Sequence, residues 1–406
     1  MTVTVIIFAI VYLGMMLGTL PWMKVDRPAI ALLGAIAMLA SGAVTTDEAK
    51  GAINGETLGL LFGLMIVAAS FDLSGMYSEW SDRLERLDLG PRGFLAVVVV
   101  ASGAASAILT NDVIAVAFAP VLLGLCIRRK LNPLPFLLAL AFSANAGSIA
   151  TIIGNPQNML IGQHFDLSFV GYMGYAAAPA VLSLGLVWAI ISWCYRGRWT
   201  LPERIQAKPL KIRKFDRWEA WKATFVTVVV VVIFIVTDWP RELVALSAGG
   251  VLLANARFAS RRILHRVDWQ LLVLFMGLFV VNAAFQQTGL PKSWIASLQS
   301  QGVHLDGMWT LYVSTAVLSD IVSNVPAVML LLPVIDDPAS GPVMAIASGL
   351  SGNFIVVGSI ACMIVVNTAE KRGVRISAAE FARSGVPVTI ATMAVAALWL
   401  WGTSAA

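Results

Sequence analysis

Charged residues are scarce in this sequence. Aspartate, glutamate, lysine and arginine make up 13% of the 406 residues, whereas soluble globular domains carry about 25%. Hydrophobic residues make up 58%, and the mean hydropathy is +0.82. Uncharged, almost wholly apolar runs such as 3–20 and 224–236 are typical of membrane-spanning helices. The composition therefore excludes a soluble globular domain and predicts an all-α polytopic membrane protein.

Cysteine and histidine are also rare, with three residues of each. Cys126, Cys194 and Cys362 fall in or beside apolar segments, and their odd number excludes a disulfide framework. Their spacing fits no metal site, so we expect no metal and no cofactor. A glycine-rich phosphate loop is absent, which argues against ATP hydrolysis by this chain and against an enzyme. A separate soluble ATPase partner stays an open alternative.

Two apolar regions are too long for one simple membrane span. They comprise residues 93–127 and 308–335, and each is interrupted by a polar segment, Thr-Asn-Asp at 110–112 and Ser-Asn-Val-Pro at 323–326. Each region predicts a re-entrant hairpin of two half-helices that enter and leave on the same side. The remaining predicted spans are 3–20, 28–44, 57–77, 135–163, 168–195, 222–237, 242–256, 269–288, 341–368 and 378–401.

Lysine and arginine are distributed unevenly over the predicted loops. With the N-terminus outside and the hairpins not crossing, 25 of the 28 fall on one side, against Lys50, Arg241 and Lys292 on the other. Cytoplasmic loops carry such an excess. The net charge of +5 therefore reflects topology rather than nucleic-acid binding. We predict ten crossings of the inner cell membrane, with both termini extracytoplasmic. The basic linker 196–221 would be cytoplasmic.

The opening run 3–20 predicts a retained membrane span. It has no basic region before it, and the residues that follow it form a poor cleavage site. Secretory signal peptides normally carry both features. We therefore do not expect this run to be a signal peptide.

The two halves of the chain repeat one another. The matched residues recur at offsets of 204 to 214, among them Gly63 with Gly277, Asn111 with Asn324, and Gly154 with Gly358. Each half has five predicted crossings, an odd number, so the halves should have opposite orientations in the membrane. Inverted repeats with broken helices are typical of secondary transporters. We predict a first repeat at 1–195 and a second at 222–406, each with five transmembrane helices and one hairpin.

Polar residues interrupt the predicted spans at matched places. Half-helix ends expose free backbone groups that bind ions or polar solutes, and the spans 135–163 and 341–368 carry glycine, proline and amides at their interruptions. The alternative is that buried amides merely hold helices together. The predicted substrate-binding residues on these grounds are Thr110, Asn111, Asn145, Asn155, Asn158, Ser323, Asn324 and Asn353.

Three aspartates lie within the spans, namely Asp72, Asp112 and Asp320. A carboxylate inside the membrane is by default a functional hypothesis. Asp112 is the strongest because it lies at a hairpin tip, where it could exchange a proton or pair with a cation. It could instead cap the second half-helix. Asp320 lies one turn before Asn324 and could face the same pocket. Asp72 could be a proton relay or lie at the cytoplasmic end of its span without a role.

Two short amphipathic stretches, 78–89 and 292–301, stand between a span and a hairpin in each half. Their alternation of charged and apolar residues favours helices lying in the membrane interface. Ordinary loops are the alternative.

With these motifs the chain resembles the ion transporter superfamily. The segments FLLALAFSAN at 136–145 and IGNPQN at 153–158, with the tip at 110–112, are most similar to arsenite efflux permeases and plant silicic-acid effluxers. The resemblance implies a scaffold that often dimerises and a transport unit that moves as an elevator. It also implies that Gly154 and Gly352 line the site. Carboxylate symporters carry Ser-Asn-Thr where this chain has Ser-Asn-Val at 323–325. This departure disfavours a sodium–dicarboxylate symporter.

These observations predict a proton-coupled secondary transporter that exports a small inorganic oxyacid or anion, arsenite-like or silicate-like. Its partners would be that solute, protons or sodium, and the lipid bilayer. No cysteine lies at a hairpin tip, so thiolate binding of arsenic is not expected. The alternatives are a sodium-coupled dicarboxylate or sulfate symporter and a sodium/proton antiporter. A channel or receptor is disfavoured because neither needs inverted repeats.

Overall fold

The computed structural model describes residues 1–18, 25–86, 89–201, 214–300 and 307–404. Over these residues the chain is almost wholly helical, and the prediction of an all-α polytopic membrane protein is confirmed. The helices of the first half are α1 (Thr2–Leu17), α2 (Arg27–Ala40), α3 (Thr46–Ala52), α4 (Gly55–Leu73), α5 (Met76–Arg86), α6 (Pro91–Leu109), α7 (Asn111–Arg128), α8 (Pro133–Ser148), α9 (Pro156–His164) and α10 (Phe169–Cys194).

The second half has the same order of elements. Its helices are α11 (Arg217–Val236), α12 (Arg241–Leu253), α13 (Ser260–Leu264), α14 (Trp269–Gln287), α15 (Leu290–Ser300), α16 (Met308–Val322), α17 (Asn324–Leu331), α18 (Ser340–Ser351), α19 (Ile360–Glu370) and α20 (Ala378–Ser404). Short 3-10 turns follow α17 and precede α19, at Leu332–Val334 and Val356–Gly358.

Seven of the described helices are long and apolar enough to cross a membrane, and six shorter apolar segments accompany them. The helices α8 and α9 together replace one predicted span, and so do α18 and α19. Proline opens α6, α8 and α9, where its missing N–H is not needed by the helix. The polar helices α3 and α13 were not predicted, because they are too short and too hydrophilic to give a membrane-span signal.

Helices also occupy the two amphipathic stretches. The helix α5 covers the first through Arg86, and α15 covers the second through Ser300. Residues 87, 88 and 301 of those predictions lie outside the described residues. So do residues 202–213 of the predicted linker 196–221.

The helices form two packed groups. One consists of α1–α4 with α11–α14, in which α4 packs along α12 and α14 along α2. The other consists of α6–α10 with α16–α20. After the two units that the resemblance implies, we call the first the scaffold group and the second the transport group. At the scaffold crossings, a Cβ on Gly63 would overlap the backbone of Ala245, and a Cβ on Gly277 would meet the backbone of Ala31. These contacts are related by the offset of 214, as the repeat predicts.

The pair α6–α7 occupies the first predicted hairpin. Each helix is long enough to cross a membrane by itself. The turn between them, however, meets the break between α8 and α9, since Asn111 N donates to Gly154 O at 2.9 Å. The other end of α7, at Arg128, lies five residues before α8 begins at Pro133. The turn of this predicted hairpin therefore lies at the break between α8 and α9.

Candidate functional site

Both hairpin tips have strained backbone. Thr110 has φ 72° and Ser323 has φ 79°, a region that residues with a Cβ rarely adopt and that is least favourable for β-branched ones. Such strain is held in place by surrounding contacts and clusters at functional sites. The two residues are matched by the repeat at an offset of 213. Because both tips share this strain, we take them as the frame of the site.

Asn145 is the centre of a network of amides. Its Oδ1 accepts from Asn111 Nδ2 and from Ser359 Oγ, both at 3.0 Å. Its Nδ2 donates to Asn353 Oδ1 at 2.9 Å and reaches Cys362 Sγ at 3.5 Å. Asn145 is fully buried. One side chain thus joins the first tip to the break between α18 and α19.

Asn155 and Asn158 organise the start of α9. Asn155 Oδ1 accepts from Asn158 N at 2.8 Å, as an N-cap does, and its Nδ2 donates to Ser148 Oγ at 3.0 Å. Asn158 Nδ2 donates to Thr151 O and to Tyr172 Oη, each at 3.0 Å. As in Asn145, most donors and acceptors of these two amides form hydrogen bonds within the protein. Their predicted contact with a substrate stays a prediction.

The second tip also leaves polar atoms unpaired. Asn324 lies against Gly352, and its Oδ1 is buried without a hydrogen-bond partner among the described residues. Ser323 Oγ donates to Gly358 O at 3.4 Å. Asp320 Oδ1 lies 3.0 Å from the position of a Cβ on Gly358 and is also unpartnered in the described part of the chain. This tip therefore has two buried side-chain oxygens that make no hydrogen bond with described residues.

A cavity of 780 Å³ opens beside the first tip, between the two helix groups. Asp112 is 8% exposed, and its carboxylate makes no hydrogen bond or ion pair with any described residue. Asp320 is not among the lining residues, so the structure places the two carboxylates in different surroundings. The cavity is lined by Thr110, Asp112 and Pro156 on one side and by Asp72, Arg266 and Asp268 on the other, with Arg372 at its edge.

The mouth of the cavity carries an ion pair. Arg266 Nη1 lies 2.6 Å from Asp72 Oδ2. Asp268 caps α14 by accepting from Leu271 N at 3.1 Å. Asp72, a candidate coupling residue, is thus engaged with a cation at the rim, away from the tips. Arg266 and Arg372 belong to the basic residues predicted to be cytoplasmic, so the cavity faces the predicted cytoplasmic side.

Several residues of this region escaped the prediction. Arg266, Asp268 and Arg372 lie in loops or at a helix end, where single charges give no pattern. Ser106 and Ser319, one turn before each tip, are fully buried and matched at an offset of 213. Their match could have been found from the repeat. No group of three or more His, Cys, Asp or Glu side chains able to hold a metal ion occurs in the described ranges.

A second depression, of 550 Å³, lies between α11 and α12. Its walls are apolar side chains such as Phe225, Val229, Ile233 and Leu243, with one hydroxyl from Ser247. It offers neither a carboxylate nor an amide. Its chemistry suits lipid acyl chains rather than a polar solute, so the candidate site is the cavity beside Asp112.

We expect Gly154→Ala to abolish transport. A Cβ at this position would overlap the carbonyl of Ser148, and Gly154 O is also the acceptor that holds the first tip. A backbone atom cannot move aside as a flexible side chain can, so the break must shift and the tip with it. Gly174→Ala is the matched control, because nothing lies within 4 Å of a Cβ there. Transport assays on both variants reconstituted in proteoliposomes would check this. Transport at the parent rate in Gly154→Ala would contradict it.

Comparison with known proteins assigns the chain. The family described as "Citrate transporter" (CitMHS) matches residues 7–344. The chain belongs to this citrate transporter family. As a member it is a multi-pass membrane transporter.

Two relatives align with this citrate transporter family member over most of its length and most of their own. The silicon efflux transporter LSI3 of Oryza sativa subsp. japonica is 28% identical, over 90% of this chain and 89% of its own. The 46 kDa membrane protein of Mycobacterium leprae is 27% identical, over 93% and 94%. The predicted resemblance to the ion transporter superfamily is confirmed.

A solved structure shares the fold of this citrate transporter family member. The YdaH transporter of Alcanivorax borkumensis superposes with a TM-score of 0.59 over 98% of this chain and 97% of the other. The sequence identity is 14%, so the likeness concerns architecture and not substrate.

Proposed function

We propose that this transporter exports a small, neutral, hydroxylated inorganic acid, arsenite-like or silicate-like, in exchange for protons. The observation that carries the proposal is Asp112, an intramembrane carboxylate without a protein partner in the described residues that faces a cavity opening on the predicted cytoplasmic side. An ionised carboxylate there is costly unless it binds a proton or a cation. Asp112 can therefore take up a proton in one conformation and release it in the other.

The buried part of the site supports an uncharged solute. Apart from Asp112, the polar side chains around the first tip are amides and hydroxyls, and Arg266 at the mouth is already paired with Asp72. Amides and hydroxyls can donate to and accept from the OH groups of an undissociated acid. The silicon efflux relative supports the same class of solute.

Carboxylate transport is the second candidate. The family description names citrate, and Arg372 lines the cavity without an ion pair to any described residue. A guanidinium binds a carboxylate well through two parallel hydrogen bonds. In this candidate, as in a sodium/proton antiporter, Asp112 would bind sodium.

Reconstitution in proteoliposomes with an internal pH dye separates these candidates. Arsenite, silicate, antimonite, sulfate, succinate, citrate and sodium would be offered in turn, with and without a pH gradient. We expect proton flux that requires arsenite, silicate or antimonite and is indifferent to sodium. Citrate or succinate movement driven by a sodium gradient alone would contradict the proposal.

A further inference from the structure

Two matched arginines hold the transport group from opposite ends of the scaffold group. Arg27 is the first residue of α2 and Arg241 the first of α12. They are related by the offset of 214 that also relates Gly63 to Gly277. Each uses its Nη2 to donate to a backbone carbonyl in the transport group. Their role is not explained by the cavity or by the amide network.

The contact of Arg27 is buried. Arg27 is 6% exposed, and its Nη2 donates to Val357 O at 3.2 Å. Nε and Nη1 are buried without a hydrogen-bond partner among the described residues. The bond to Val357 O is therefore the one hydrogen bond of this buried guanidinium among the described residues. Val357 lies in the 3-10 turn at the break before α19.

The contact of Arg241 differs although the residue is matched. It is half-buried and donates to Leu167 O, in the loop between α9 and α10. The match of Val357 in the first half is Ile153, at the offset of 204 that relates Gly154 to Gly358. The match of Leu167 is Ile376, because Ser168 and Ser377 stand in equivalent places before α10 and α20. Matched arginines therefore hold carbonyls that are not matched.

We propose that Arg27 and Arg241 are positioning residues that exchange these carbonyls when the transport group moves. In inverted repeats, the second conformation interchanges the environments of the two halves. Arg241 then holds Ile153 O at the first break, and Arg27 holds Ile376 O in the loop before α20. This proposal rests on the alternating cycle of the proposed function but not on its substrate.

The exchange gives the two arginines opposite effects on the conformational equilibrium. The buried bond to a break is the stronger of the two kinds, since water competes less well for it than for the half-exposed bond to a loop. Arg27 makes the buried bond in the conformation open to the predicted cytoplasmic side. Arg241 makes it in the other. Loss of Arg27 should therefore favour the outward-open form, and loss of Arg241 the inward-open form.

Two single-cysteine reporters measure the equilibrium without any substrate. Val116 lines the cavity and is 54% exposed. Its match at the offset of 213, Met329, is 5% exposed here and should become accessible from outside in the other conformation. Each reporter would be placed in a chain with its three native cysteines replaced by alanine. A membrane-impermeant maleimide would then be applied to either face of oriented vesicles.

We expect Arg27→Gln to lower labelling of the Val116→Cys reporter and raise that of Met329→Cys, so that the ratio of the two changes about fivefold, the effect of a coupling near 1 kcal/mol. Arg241→Gln should do the reverse, and the double variant should return the ratio toward that of the parent. Arg27→Lys, which keeps one donor, should fall between. Shifts of both single variants in the same direction, or no shift in well-folded protein, would overturn the proposal.

A second measurement keeps both arginines in place. A cysteine pair at Pro28 and Val357 should be joined by a flexible bifunctional maleimide in the inward-open form, and the matched pair at Glu242 and Ile153 in the outward-open form. Coincident cross-linking of both pairs in one trapped conformation would exclude the exchange. Opposite shifts without movement of any inorganic acid in proteoliposomes would refute the proposed function and leave the exchange standing.

Discussion

Replacement of Asp112 by asparagine is expected to abolish proton-coupled transport while the protein remains folded. The two side chains have nearly the same shape, and the carboxylate makes no hydrogen bond or ion pair with described residues that the change would remove. The substituted amide cannot exchange a proton with the cavity. Proton flux in proteoliposomes should therefore fall at least a hundredfold, the loss produced by about 2.7 kcal/mol in the barrier.

Folding and coupling can be measured separately for this variant. Gel filtration and thermal unfolding in detergent should match the parent protein. Asp320→Asn is the informative companion, because Asp320 lies against Gly358 and outside the cavity lining. We expect it to retain at least part of the proton flux. Full flux in Asp112→Asn, or equal loss in both variants, would remove Asp112 from its proposed role.

Replacement of Asn145 by alanine is expected to destabilise the fold more than other single amide deletions in the site. It would strand Asn111 Nδ2 and Ser359 Oγ and would leave Asn353 Oδ1 only a weak contact with Cys362 Sγ at 3.9 Å, and all three groups are buried. Each stranded group costs about 1–3 kcal/mol in protein interiors, although bonds between helices in bilayers average about 0.6 kcal/mol. Together these values predict a loss of about 3 kcal/mol in the free energy of unfolding.

Reversible unfolding in mixed micelles would measure that loss. Ser106→Ala is the matched control, since the Ser106 hydroxyl is buried nearby in α6 and has no partner in the described part of the chain. It should change stability by less than about 0.5 kcal/mol. If Asn145→Ala proved no worse than this control, the amide network would not be what joins the first tip to the second break.

The hydrogen bonds of the predicted asparagines could not be derived from the local sequence pattern. Asn111, Asn145, Asn155 and Asn158 were all predicted to bind substrate from their position at breaks. Their bonds, however, run mainly to one another and to the backbone. A sequence places an amide at a break but does not say which neighbour will take its hydrogen bonds. That depends on contacts such as Asn145 with Asn353, 208 residues apart.

The sequence by itself determined the membrane class, the element order, the two interrupted regions and the candidate carboxylate at a tip. These follow from hydropathy, from the positions of glycine and proline, and from the constant offsets between the two halves. Hydropathy is informative because backbone groups in a bilayer must form their hydrogen bonds within helices. Only the tertiary structure decided that Asp112 lines the 780 Å³ cavity and that Asp320 is not in its lining, and that Asp72 pairs with Arg266. It also decided that Arg27 and Arg241 hold different carbonyls. Those facts depend on how the two helix groups pack against each other, and packing joins residues whose separation along the chain carries no periodic signal.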